Sequence, residues 1–198
     1  MVRCYSGAMA RLKPLPKVWP DVWIVSDARS DAALDAAIKR LPRGSGVIFR
    51  HYHLPESERR ARFAAIRRLA RGRDHVVALA ADSRTARRWG ADAAYGAPGA
   101  LHAGSRLARL IAVHSLAELA RARRADAVLL SPAFATRSHP GARPLGPLRF
   151  RLIAARSAVP VIALGGMDEK GARRLKWPRW AAIDAFCDKA TRRNPLDS

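Results

Sequence analysis

The chain has 198 residues, 49% hydrophobic and 27% charged, an ordinary globular balance with enough apolar material for one core. No apolar run reaches the ~18 residues of a membrane helix, the first 17 residues lack the apolar stretch of a secretory signal, and Cys4 and Cys187 have no metal spacing or disulfide framework. The formal net charge is +21, but Arg is spread through nearly every predicted helix, so the expectation is a cytoplasmic protein that attracts small anions and binds nucleic acid only non-specifically at low salt.

Residues 1–20 read as a peripheral N-terminal segment. From Val22 onward, short β-rich apolar runs alternate with Ala/Arg/Leu-rich helical stretches. The predicted strands are 22–26, 46–50, 75–80, 91–95, 110–113, 127–130, 159–164 and 181–185. Several are continuously apolar, as expected of strands covered on both faces. The first predicted helix, 31–41, follows Ser30 as N-cap. The second, 56–71, starts after Leu54-Pro55 and sets Phe63, Ile66, Leu69 and Ala70 on one side, with Arg59, Arg60, Arg67 and Arg68 largely opposite. Shorter helices are expected at 83–89, 116–123, 148–156 and 169–175. Eight βα units with short links imply parallel strands and right-handed crossovers, and favour closure into one TIM-type (β/α)8 barrel, a single α/β domain over 21–186. Residues 187–198 remain as a short C-terminal tail.

Barrel chemistry sits in the loops at the C-terminal ends of the strands, and three such places carry suitable residues. His114 ends the fifth strand, where an imidazole can move protons near neutral pH or simply be satisfied beside a helix capped by Ser115. The long loop 131–146 offers Thr136 and Ser138, flanked by Arg137 and His139, a set suited to phosphate oxygens. Gly165-Gly166 follow the seventh strand and precede a helix. Adjacent glycines there allow close backbone approach, and a helix N-terminus favours phosphate. A tight turn alone also explains them.

The stretches VWIVSD (22–27), GAD (90–92), AVHSLAELARARRADAVLLSPAFATRSHPGARPLG (112–146) and VPVIALGGM (159–167) together resemble the thiamine phosphate synthase and thiazole tautomerase family. The resemblance implies a phosphorylated thiazole held by Gly165, Gly166 and the backbone around Ile183 and Asp184. It implies a pyrophosphate or pyrimidine contact from Thr136 and Ser138, with His139 in place of a loop lysine, and it makes Arg50 an anion-facing residue. The sequence departs from the family where Mg²⁺ would bind. The expected Asn-Asp-Arg is Ala80-Ala81-Asp82, and the following motif is replaced by residues 95–100, which bring no carboxylate. Ile48 and Tyr52 stand where the family has glutamine and lysine. No metal site is therefore expected, and Mg²⁺ enters only if the divergent site still supports synthase chemistry. Three readings stay open: a divergent synthase, a metal-free tautomerase-like isomerase using His114 with Arg50, and a non-catalytic phosphate binder. A basic nucleic-acid-binding module is the reading from another class, but no recognition helix or zinc knuckle accompanies the charge. The expected partner is a phosphorylated thiazole or pyrimidine; oligomeric state is open.

Overall fold

The computed structural model describes residues 19–101, 107–136 and 141–187. Eight parallel strands run in the order β1 (Val22–Val25), β2 (Gly46–Phe49), β3 (Val76–Ala80), β4 (Ala93–Gly96), β5 (Ala108–Val113), β6 (Ala127–Leu130), β7 (Val161–Ala163) and β8 (Trp180–Ala182). Each pairs with the next, and β8 pairs with β1 to close a barrel. The helices are α1 (Asp31–Arg40), α2 (Glu56–Arg71), α3 (Ser83–Trp89), α4 (Leu116–Arg121), α5 (Gly146–Ala154) and α6 (Glu169–Leu175), with a 3₁₀ turn at Ala28–Ser30. This is a single-domain TIM-type fold, as the alternation predicts. No helix among the described residues is long and apolar enough to cross a membrane.

Strand side chains alternate between two apolar layers, the direct consequence of a period of two in a closed sheet. Trp23, Val25, Ile48, Ala78, Tyr95, Leu110, Leu129 and Ile162 fill the barrel interior. Ile24, Val47, Phe49, Val77, Leu79 and Ile111 point outward against the helices, where Phe63, Ile66 and Ala70 of α2 meet them. Trp23 dominates the interior and is fully buried. Its indole N–H donates to the Pro20 carbonyl at 2.8 Å, and its register partner is Gly46, where any Cβ would fall on the indole ring.

Several element ends differ from the sequence expectation, some for a visible reason. Strand β4 begins two residues late because Asp92 bridges to β3: its carboxylate accepts the Val77 N–H and its own N–H donates to the Val77 carbonyl, both at 2.8 Å. Asp126 does the same to Arg109 at the start of β6. The Asp of the Gly-Ala-Asp motif thus aligns strands at the opposite end from the loops that carry chemistry. Strand β7 is shortened because Ser157 holds both the N–H and the carbonyl of Val159 in a turn, and Pro160 has no N–H to give. Strand β8 runs 180–182 rather than 181–185. Helix α5 starts two residues early, with Pro147 in its first turn, where a missing N–H costs nothing. Helix α4 ends at Arg121, two residues before expected.

Candidate active site at the barrel mouth

The C-terminal ends of β1, β2, β5, β6, β7 and β8 converge on one mouth. A cleft of about 110 Å³ there is lined by Arg50, His114, Ser131, Pro132, Thr136, Leu164, Gly165 and Ile183. A second, of about 240 Å³, is lined by Thr136, Gly165, Gly166, Met167, Asp168, Ile183 and Asp184. Thr136, Leu164, Gly165 and Ile183 belong to both, so the two are parts of one depression. The residues singled out from sequence as Arg50, His114, Thr136, Gly165, Gly166, Ile183 and Asp184 are brought together by the fold. Ser138 and His139 lie outside the described residues.

Gly165 and Gly166 have φ of 92° and 61°, a region that glycine enters without Cβ strain. They also pack tightly. A Cβ on Gly165 would come within 2.8 Å of the Pro132 Cα, and one on Gly166 would fall against the Ala135 carbonyl oxygen, with the Phe134 Cβ at 2.9 Å. The two loops are laced together by Ala133 N–H to Leu164 O at 2.8 Å and Phe134 N–H to Gly165 O at 3.0 Å. The glycines therefore shape the wall of the cleft by letting the loop after β6 lie on the loop after β7. The helix N-terminus that the sequence offered to a phosphate is already capped: Asp168 accepts the Gly171 N–H at 2.6 Å. This wall is lined by loop backbone and by Thr136, Asp168 and Asp184.

The cation comes from the other side. Arg50 follows β2 directly. Its Nε donates to the Ser26 carbonyl at 3.2 Å and its Nη2 to Asp27 Oδ2 at 2.9 Å. Asp27 also pairs with Arg29 at 2.8 Å. The hydrogen bond from Arg29, with charge from both arginines, holds the Asp27 carboxyl below its ordinary range.

His114 projects from the end of β5 with 56% of its side chain exposed. Glu118, one turn into α4, accepts both the His114 backbone N–H and its Nδ1–H at 2.9 Å. Ser115 caps the same helix by accepting the Glu118 N–H. Sequence reasoning found the cap but missed the carboxylate. The signal was present: Ser-x-x-Glu is a capping-box spacing, in which the acid reaches back over the helix start. Here it reaches one residue further, to the histidine. Although burial pushes the other way, the hydrogen bonds from His114 hold the Glu118 carboxyl below its usual range.

The carboxylates nearest the β1–β4 side have other work. Asp82 caps α3, accepting the N–H groups of Arg84 and Thr85 at 2.9 and 3.0 Å. Asp27 is held between two arginines. Arg59, which the helical pattern set largely opposite the apolar side of α2, reaches inward: it donates to the Arg50 carbonyl at 2.8 Å and the Ala80 carbonyl at 2.7 Å, with its guanidinium over the Tyr52 and Trp89 rings. It closes the ends of β2 and β3 with positive charge. No group of three or more His, Cys, Asp or Glu side chains able to hold a metal exists among the described residues.

Comparison with known proteins agrees with the barrel fold. Thiamine phosphate pyrophosphorylase from Pyrococcus furiosus superimposes with a TM-score of 0.71 at 22% identity, over 83% of this chain and 86% of that one. The pyrophosphorylase from Bacteroides thetaiotaomicron gives 0.59 at 14%, over 90% and 89%. FabK from Thermotoga maritima gives 0.61 at 17%, over 89% of this chain and 61% of that one, which marks how widely the barrel itself is shared. No curated protein matches the chain significantly in sequence. The sequence profile described as thiamine monophosphate synthase matches residues 22–182, and the chain belongs to that family.

Proposed function

We propose that this protein binds a phosphorylated thiazole at the barrel mouth and that its synthase activity is weak or lost. The observation that carries the reading is the single depression in which the Arg50 cation and the His114 imidazole face Thr136, Gly165 and Ile183. An anionic group of the ligand lies toward Arg50, and the phosphate lies toward the backbone of Gly165-Gly166 and the segment after β8. The positive field of the chain steers such ligands inward.

Joining a pyrimidine diphosphate to a thiazole phosphate calls for Mg²⁺ to stabilise the departing pyrophosphate. The oxygen donors here do not fit that ion. Asp82 is spent on two backbone N–H groups, Asp27 on two guanidinium groups, and residues 95–100 carry no carboxylate. A second reading has its own support. The His114–Glu118 pair is a proton-transfer group with an orienting carboxylate, the arrangement an isomerase acting on a thiazole carboxylate phosphate needs. In that reaction His114 removes and returns a ring proton while Arg50 neutralises the carboxylate.

The deciding experiment incubates the protein with the thiazole phosphate and the pyrimidine diphosphate, with and without Mg²⁺, and separately with the thiazole carboxylate phosphate. Thiamine phosphate formed at an ordinary enzyme rate of about 1 per second or faster overturns the first reading in favour of a competent synthase. Isomerisation lost in His114→Ala, with phosphate binding intact, supports the second. Failure to bind any of the three ligands removes both.

A further inference from the structure

Behind Arg50 lies a chain of buried polar groups that no apolar packing requires. Ser26, at the end of β1, is fully buried, and His51, just after β2, is 1% exposed. Ser26 Oγ lies 2.8 Å from His51 Nδ1 and accepts the Arg50 backbone N–H at 2.8 Å. His51 Nε2 lies 2.7 Å from Asp31 Oδ1, and the same carboxylate oxygen receives Arg62 of α2 at 2.8 Å. The proton positions follow from this order. Asp31 is kept ionised by Arg62 and His51 against its partial burial, so His51 Nε2 must be the donor. Nδ1 is then the acceptor, and the Ser26 hydroxyl donates to it, leaving the oxygen lone pairs for the Arg50 N–H. The line then runs in one direction, each group donating to the next from the Arg50 N–H to the Asp31 carboxylate.

His51 adopts φ of +36°, a backbone conformation that non-glycine residues enter only when their surroundings compel it. Its ring is clamped by stacking on Phe49, with centroids 4.5 Å apart. Burial drives its pKa down, with the nearby His53 and Arg62 acting the same way against Asp31, so the neutral ring the line requires is the favoured one. The strained turn reverses the chain directly after Arg50.

We propose that His51 and Ser26, anchored by Asp31, are positioning residues that fix Arg50 at the barrel mouth so that its guanidinium meets an anionic ligand already in place. Ser26 acts twice, since its hydroxyl holds the Arg50 N–H and its carbonyl accepts the Arg50 Nε. The gain is preorganisation: a free arginine loses rotamer freedom on binding, whereas this one has lost it during folding. This rests on the reading of the mouth as an anion site.

The test is calorimetric titration of inorganic pyrophosphate into the full chain without added metal, at pH 7.5, for the native protein and for Ser26→Ala, Ser26→Thr, His51→Gln, Arg50→Ala and Ser26→Ala/Arg50→Ala, each also followed by thermal melting. Arg50→Ala weakens binding about tenfold or more, the loss of a hydrogen bond to a charged group. Ser26→Ala weakens it by several-fold to about tenfold, and Ser26→Thr, which keeps the hydroxyl, restores most of that loss. In the double variant the Ser26 effect disappears, because there is no guanidinium left to position. Effects that add in the double variant, or a Ser26→Ala or His51→Gln protein that melts lower but binds unchanged, make the line purely structural and overturn the proposal. Arg50→Ala binding as well as the native chain overturns instead the reading of the mouth on which it rests.

Discussion

Gly166→Ala separates two roles of the glycine pair, backbone conformation and close packing. The residue sits at φ +61°, where an added Cβ costs on the order of 1 kcal/mol. That Cβ also runs into the Ala135 carbonyl oxygen and the Phe134 Cβ. Both belong to a loop pinned by its own hydrogen bonds to residues 164 and 165, so relief requires moving backbone and adds about 1–3 kcal/mol. The sum is about 2–4 kcal/mol, which for a domain near this size lowers Tm by roughly 4–16 °C. Gly44→Ala supplies the comparison: φ is +75° but nothing lies within 4 Å of its Cβ, so only the strain of about 1 kcal/mol remains. Differential scanning calorimetry and urea unfolding of both variants give the difference directly. Inorganic phosphate titrated into folded Gly166→Ala should bind more weakly, because the displaced loop carries Thr136. Equal destabilisation of the two variants would refute the packing argument and leave the pair as a turn alone.

Asp82→Ala should cost about 1 kcal/mol through loss of the α3 cap and leave pyrophosphate binding and any turnover unchanged; a loss of activity rescued by Mg²⁺ would assign Asp82 to a metal instead. Stability should fall as pH drops below about 6.5, because burial lowers the pKa of His51 and His75 in the folded state. The unfolded chain then binds the protons first, so this contribution is complete above the unfolded pKa and drains away beneath it. Urea midpoints that stay flat from pH 7 to pH 5 would show that neither ring is held neutral. Phe63→Ala, at the buried junction of α2 with Phe49 and Trp89, should cost about 3–5 kcal/mol and be visible in chemical denaturation; a shift under 1 kcal/mol would mean the layer repacks.

The periodicity of the sequence determined the barrel, because a parallel strand covered on both faces is an apolar run whatever its partners, and eight such runs separated by helical stretches have few closed arrangements. It also determined that Arg50, His114, Thr136 and Gly165 lie at one end, since all follow their strands and a βα unit puts every such residue on the same rim. Strand ends were less legible: Asp92 and Ser157 trim β4 and β7 with side-chain hydrogen bonds to backbone, and nothing in a hydrophobic pattern records which N–H a carboxylate will take. The partners of Arg50 were legible only in three dimensions. Ser26, Asp31 and His51 are 20 to 25 residues apart along the line of contacts and share no local spacing; what unites them is that β1 and β2 are hydrogen-bonded neighbours whose ends meet beneath α1 and α2. Arg59 teaches the same point, since helical periodicity set it largely opposite the apolar side of α2, yet its long side chain reaches back over the strand ends to the Arg50 and Ala80 carbonyls. Side-chain reach and the pairing of distant strands are tertiary quantities, and they decided which charges at the mouth are spent within the protein.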